Sequence, residues 1–426
     1  MFKALVIAYY FPPMGLSGVQ RTLKFTKFMS RFNWEPTVLT AGNTGYYAHD
    51  KRMLQEAENA NIRIVRTDAL DINSLLAPLG TVGMPKEIFR KFLSKLSKTF
   101  FIPDNKKSWA DKAFQTASEL LEKEDFDVIF VTIPPFSSFM TAARLKKKFD
   151  IPVIVDYRDL WYGNQFAFYP TPYHKHMHKK LEYACLRASD KVIVINRKIK
   201  EKLLTTYKFL TFEDILILPH GFDQEELDSI TPLPRDRNKI MLTYAGIFYE
   251  FITPKYFLKA FKQLSIERPD IAANFELHFV GHLRRENQKL INELALKEFV
   301  FEHGYLDHEE SLRRILASDV LWMMIGNAPN ADTISTGKLF EYFGARKPIL
   351  VCVPEGVAKQ AAKEYGGSII TKPDDIEEIK NALIKIYELY KIKSLPAPNE
   401  EFVLKHDRLA LTEQLTKQFQ FYLKAD

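Results

Sequence analysis

Residues 331–348 concentrate groups able to hold a phosphorylated, hydroxyl-rich ligand. Ser335 and Thr336 suit a helix start and Gly344 suits its close, ahead of the apolar strand 349–353. Free amides at such a start favour an anion. Lys338 and Glu341, three residues apart, share one face of that helix. A cation then lies beside the amides, and a carboxylate able to accept two hydroxyl hydrogen bonds follows about a turn later. Ordinary surface helices carry the same cap and the same Lys/Glu pair, so the stretch acquires meaning only from the elements around it. A second group, Arg158, Asp159 and Trp161, follows the apolar run 152–157, and polar residues at a strand end are better placed for chemistry than for stability.

The chain has 426 residues, enough for two cores. With 46% hydrophobic and 27% charged residues, the composition is that of a soluble globular protein, and no window approaches the ~18 apolar residues of a membrane span. The apolar run 4–11 ends in Pro12-Pro13 without a small-residue cleavage site, so it reads as a buried strand and not as an export signal. Cys185 and Cys352 stand apart, outside any metal-type spacing, and read as packed thiols of a reducing compartment. The net charge of +7 suits an anionic partner, but no aromatic-basic motif points to nucleic acid.

Elements alternate along the chain. Residues 2–11 form a buried strand. A loop with Gly15 and Gly18 then opens a helix to about residue 31, and the next strand is 34–40. The glycine spacing is not that of a dinucleotide fingerprint, yet it puts backbone amides at the carboxyl end of the first strand. Further strands are read at 62–66, 126–133, 152–157, 191–195 and 215–218, with an irregular insertion over 69–108. Inside it, residues 86–98 form a basic amphipathic segment, which either lies on an anionic membrane surface or packs Ile88, Phe89, Phe92, Leu93 and Leu96 on the core. Residues 224–238 read as a linker. A second series of five strands starts at Ile240, with Gly246 and Gly281 directly after two of them. The expected fold is α/β, two Rossmann-like doubly wound parallel-sheet domains facing across a cleft. They cover residues 1–225 and 226–400, and a terminal helix at 401–426 can return to the first. Two such domains suit a transfer reaction, one substrate on each.

The order and spacing of several motifs then resemble a known family. They are Phe11-Pro12-Pro13 with Gly15, Gly18 and Arg21; Pro103-Asp104 to Trp109; the runs 126–135 and 152–161; His220-Gly221-Phe222-Asp223; Tyr244-Ala245-Gly246; Gly304-Tyr305; and residues 335–342 with Lys347-Pro348. Together they resemble the GT-B glycosyltransferases, specifically the retaining family 4, over nearly the whole chain. The resemblance implies a nucleotide-diphosphate sugar held mainly by the second domain, with no cofactor and no metal. It places Glu341 on the ribose hydroxyls, the amides of Ser335, Thr336 and Gly337 on the pyrophosphate, and Gly281, His282 and Tyr305 at the nucleobase. Gly246 joins the donor-binding set, and the Gly15–Gly18 loop approaches donor phosphates and acceptor from the other side. Arg158 and Asp159 match the strand-end pair of an Arg-Asp-Pro-Trp subgroup and, with Lys338, form the catalytic set.

Two positions depart from the family pattern. An acidic residue is expected at 333, where this chain has Thr333 preceded by Asp332, the two residues assigned to sugar contacts. An arginine often follows the second domain's first glycine, where this chain has Ile247, so Lys338 or Lys255 takes over neutralising the departing diphosphate. The implied function is glycosyl transfer to an acceptor hydroxyl in cell-surface polysaccharide or glycoconjugate synthesis. The acceptor is a glycan or lipid-linked molecule, and the enzyme is cytoplasmic, at the inner face of the plasma membrane. A sugar-nucleotide epimerase or hydrolase, or a non-catalytic nucleotide-sugar-binding subunit, are the alternative readings on one scaffold.

Overall fold

The structure, a computed structural model, describes residues 1–15, 17–46, 48–68, 87–164, 167–235 and 238–423, without the side chains of Ser17 and of residues 87–91. The chain divides into two compact units, Met1–Pro219 with Arg408–Asp426, and His220–Asp407.

The strands of the first unit are β1 (Phe2–Ile7), β2 (Trp34–Ala41), β3 (Arg63–Thr67), β4 (Val128–Ile133), β5 (Val153–Tyr157), β6 (Lys191–Val194) and β7 (Ile215–Ile217), in the order β3-β2-β1-β4-β5-β6-β7. Every pairing is parallel. That explains why β4 and β5 are apolar without alternation: helices cover both faces, and all their residues are buried. At the sheet centre an ion pair is sealed from water. Arg21, on the helix Ser17–Met29, sets Nε 3.0 Å from both carboxylate oxygens of Asp156 on β5, and Nη2 lies 2.9 Å from one of them. Two further protons go to the carbonyls of Leu218 (2.9 Å) and Pro219 (2.6 Å), while Thr132 donates to Asp156. One guanidinium thus ties the first helix, the fifth strand and the chain just after β7. The helix Arg408–Gln420 completes the layer, with Phe419 against Trp34 and Phe130.

The second unit repeats the scheme with β8 (Ile240–Ala245), β9 (Phe275–Val280), β10 (Val300–Gly304), β11 (Val320–Met324), β12 (Ile349–Cys352) and β13 (Ser368–Thr371), ordered β10-β9-β8-β11-β12-β13 and again all parallel. In both units the strand order reverses beside the first strand, the place where doubly wound sheets present strand ends and loop amides to ligands. The expected pair of Rossmann-like folds is what the structure shows.

Details differ from the sequence reading. β13 escaped it because Ser-Ile-Ile-Thr is short and sits directly after two glycines. The helix Lys51–Asn59 was also missed, although Asp50 caps it by accepting from the amides of Arg52 and Met53. The stretch read as a linker holds the helix Gln224–Ser229, nucleated by Asp223, whose carboxylate accepts from Glu226 N–H. The single terminal helix expected from residue 401 is two, Glu400–Leu404 and Arg408–Gln420, broken where the chain passes from one unit to the other. Of the irregular insertion 69–108, residues 69–86 lie outside the described residues, and the remainder holds the helix Glu87–Phe100. Of the core-packing alternative for segment 86–98, Ile88 and Phe89 lie outside the described side chains. Phe92, Leu93 and Leu96 are exposed, contrary to that alternative.

Removing one partner of the buried pair leaves the other charge stranded, so Arg21→Met should destabilise the first unit by about 3–5 kcal/mol, and the double replacement R21M/D156L by less. Urea unfolding of the three chains measures both.

Candidate active site

The carboxyl edge of the second sheet is built by backbone crossings. Gly246 directly follows β8, and its N–H donates to Val280 O (2.7 Å); Gly281 directly follows β9, and its N–H donates to Gly304 O (2.7 Å). Both glycines lie at positive φ, +143° and +117°. A methyl at position 281 would sit 2.4 Å from the Gly246 carbonyl oxygen, and one at 246 would sit 2.2 Å from Lys338 Nζ. Neither position accepts a side chain, and the edge is therefore lined by main chain. Just beyond it His282 and Tyr305 stack, with ring centroids 5.7 Å apart and planes 17° from parallel. A flat, half-buried aromatic pair of this kind offers a platform for another planar ring.

The helix Gly337–Gly344 runs away from this edge. Thr336 occupies the cap position but makes no side-chain cap, because its hydroxyl turns to Met323 Sδ at 4.0 Å. The sequence reading expected Ser335 or Thr336 to cap; instead the N–H groups of Gly337 and Lys338 have no partner among the described residues. Lys338 reaches back over β8: its Nζ donates to the Tyr244 hydroxyl (2.8 Å) and lies 4.3 Å from that ring's centre. Burial pushes this ammonium down to about 8, with Glu341 pulling it partly back up. Tyr342, from the same helix, accepts from Ala245 N–H (2.8 Å) and so fixes the helix on the strand end. Glu341 forms no ion pair with Lys338. It faces His308, with Nε2 3.9 Å away, and His308 also lies 3.4 Å from Glu226.

The remaining positions spread along this edge. Thr333 is buried and its hydroxyl donates to Asn330 O (2.8 Å). Asp332 packs its backbone on Gly356, where a methyl would come 2.5 Å from the Asp332 Cα. Lys255 is exposed, its Nζ 5.5 Å from the Tyr256 ring centre. His308 and Glu226 were not singled out from the sequence, and Tyr244 and Tyr342 entered it only as members of motifs, without a role. Their chemistry is common, and only the tertiary fold brings them to Lys338 and Glu341.

In the first unit Arg158 is buried and braces three carbonyls, of Gly18 (2.6 Å), Ile133 (3.3 Å) and Pro134 (3.2 Å). It therefore fixes the loop that opens the first helix. Asp159 makes no hydrogen bond among the described residues; burial raises its pKa and Arg158 opposes the rise. Gly15 donates to Ala48 O (2.9 Å). The loop after β5 is pinned from below by Glu182, which accepts from the hydroxyls of Tyr157 and Tyr207 and from Tyr162 N–H. Burial raises this carboxyl to about 7, against the lowering effect of those donors. Trp161 is core, stacked on Phe136, and its Nε1 donates to His178 Nδ1 (2.8 Å). His178 is accordingly engaged. Both cysteines are buried thiols, pushed up by burial to about 12 (Cys185) and about 11 (Cys352).

Two measurements check this geometry. Among glycine replacements, G281A should cost more than about 2 kcal/mol because backbone blocks it, whereas G304A, with open space at its Cβ, should cost about 1 kcal/mol. Unfolding midpoints rank them. Because Glu182 is an acid whose pKa is raised on folding, it stabilises below its unfolded value and loses that contribution as pH rises towards 7. E182Q should flatten the stability profile over that window.

With this geometry in view, comparison with known proteins is informative. Residues 81–226 match the sequence pattern described as Glycosyltransferase Family 4. No curated protein matches by sequence. By fold the chain is similar to a glycosyltransferase from Rickettsia africae ESF-5, at 13% identity and TM-score 0.66, covering 100% of this chain and 99% of that one. It is also similar to Anabaena HepE in complex with UDP-glucose, at 14% identity and TM-score 0.64, covering 99% and 100%. A third likeness is a putative UDP-N-acetylglucosamine 2-epimerase from Listeria monocytogenes, at 14% and TM-score 0.56, covering 98% and 96%. The chain thus has the GT-B fold, and its residues 81–226 carry the Glycosyltransferase Family 4 pattern.

Proposed function

We propose that the protein transfers a glycosyl group from a nucleoside diphosphate sugar to an acceptor hydroxyl, with retention at the anomeric carbon. The observation that carries this reading is Lys338, a desolvated ammonium beside two unpartnered helix amides, with Glu341 one turn further on. Amides and ammonium receive the diphosphate, Glu341 accepts from the ribose hydroxyls, and the His282–Tyr305 pair packs the base. In the reaction the bond from the anomeric carbon to the diphosphate oxygen breaks, and its electron pair stays on that oxygen. The acceptor oxygen bonds to the same face of the carbon, and its proton passes to the departing phosphate. Charge accumulates on the leaving group, so preorganised cations and amides stabilise this step more than a dedicated acid would. Arg158 acts as a positioning residue in this scheme, since its guanidinium is occupied by carbonyls. The UDP-glucose bound by HepE and the fold of the Rickettsia enzyme support the donor class.

Nucleotide and nucleoside binding separate the two roles. E341A should weaken both UDP and uridine by about 10–100-fold, and K338Q should weaken UDP alone, as read by calorimetry or thermal shift against UDP, GDP, ADP and dTDP sugars. Unchanged affinity in E341A would sink the ribose assignment. Diphosphate affinity should be constant below about pH 8 and fall above it as Lys338 loses its proton, a dependence absent from K338Q. Release of free altered sugar nucleotide without any acceptor product would identify an epimerase or hydrolase instead.

A further inference from the structure

The helix Glu87–Phe100 of the first unit is turned inside out for a globular protein. At 100° per residue, Phe92, Leu93, Leu96 and Phe100 fall within one arc of roughly 100°. That arc is the one left in water: Phe92 is 59% exposed, Leu93 43%, Leu96 45% and Phe100 72%. Ser94 and Lys98, on the opposite side, and Ser97, on the flank, are the less exposed residues. A helix kept for packing alone would be oriented the other way. Phe101, the next residue, is 43% exposed, and Tyr173 of a neighbouring helix is 63% exposed. The two elements touch where His174 Nε2 lies 3.0 Å from the Thr99 carbonyl.

The charge around this surface has one sign. Residues 92–101 and 167–180 contain no Asp or Glu but carry Lys95, Lys98, Lys175, Lys179 and Lys180. Lys95 sits at the border of the apolar arc, 5.4 Å from the Phe168 ring centre. An apolar helix face edged by lysines, with aromatic rings beside it, has the chemistry of a segment lying in the interface of an anionic bilayer. No described helix is long and apolar enough to cross a membrane, so the contact is one of surface docking. A second copy of the chain is a poorer occupant, because a two-fold pairing through this patch sets its lysines against one another.

We infer that the face formed by Phe92, Leu93, Leu96 and Phe100, edged by Lys95 and backed by Lys98, docks the protein on an anionic lipid surface. This goes beyond the donor chemistry and stands without it. Docking of this kind would bring the protein to acceptors carried on lipid.

Flotation of the full chain with vesicles tests it, without donor present, so that its result is separate from that of the nucleotide experiments. Vesicles of phosphatidylcholine with one-half phosphatidylglycerol should bind the protein at least ten-fold better than phosphatidylcholine alone, and raised salt should weaken that binding. F92S/F100S should lower partitioning about ten-fold with an unchanged melting temperature, since these side chains make little of the core. K95E/K98E should lower it by a similar factor and weaken the salt dependence. Absence of binding to the anionic vesicles, or equal binding by wild type and F92S/F100S, overturns the proposal. So does a dimer in solution that F92S/F100S converts to monomer, which would make a second copy the occupant.

Discussion

The second unit depends on a main-chain crossing that admits no side chain. Where β8 and β9 end, Gly246 and Gly281 come so close that the carbonyl of one occupies the space a methyl on the other would need. Positive φ at both residues turns the strand ends past each other, a conformation glycine reaches without steric cost. This closeness opens the slot over Gly246 into which Lys338 lays its ammonium, and it places His282 and Tyr305 side by side beyond the sheet. A bulkier residue at either glycine would move the lysine, the platform or both.

The two units treat buried charge in opposite ways. In the first, Arg21 and Asp156 satisfy each other, and Arg158 is used up on carbonyls, so these cations brace loops and strand ends. Desolvation is offset there by a complete set of partners, and the result is a rigid frame. In the second, Lys338 has one hydroxyl and one ring for company, and Glu341, the carboxylate that acts on its charge, faces His308 instead. An ammonium so placed is costly to bury and would be relieved by an anion brought beside it.

Glu182 shows how the first unit holds its loops without spending charge at its edge. Two tyrosine hydroxyls and one amide converge on a buried carboxyl, and through Tyr157 and Tyr162 the network reaches both ends of the segment that carries Arg158 and Asp159. Trp161 adds an aromatic stack on Phe136 and a hydrogen bond to His178. The segment is thus fixed from the helix beneath it, which lets short polar side chains stand at the strand end.

The sequence determined the repeated α/β plan, because strands buried on both faces of a parallel sheet must read as unbroken apolar runs, as 128–133 and 240–245 do. It also pointed to the 335–341 segment and to Gly246 and Gly281, since glycine directly after such a run signals a special backbone. It missed β13 and the helix Gln224–Ser229, whose four and six residues are too short for any periodicity to register. Only the tertiary structure decided which charges are fully partnered and which are not: Arg158 and Lys338 look equally available in sequence, and they differ in what surrounds them. It likewise decided that Phe92, Leu96 and Phe100 face water, because an amphipathic pattern fixes that a helix has two faces and leaves open which one the rest of the protein covers.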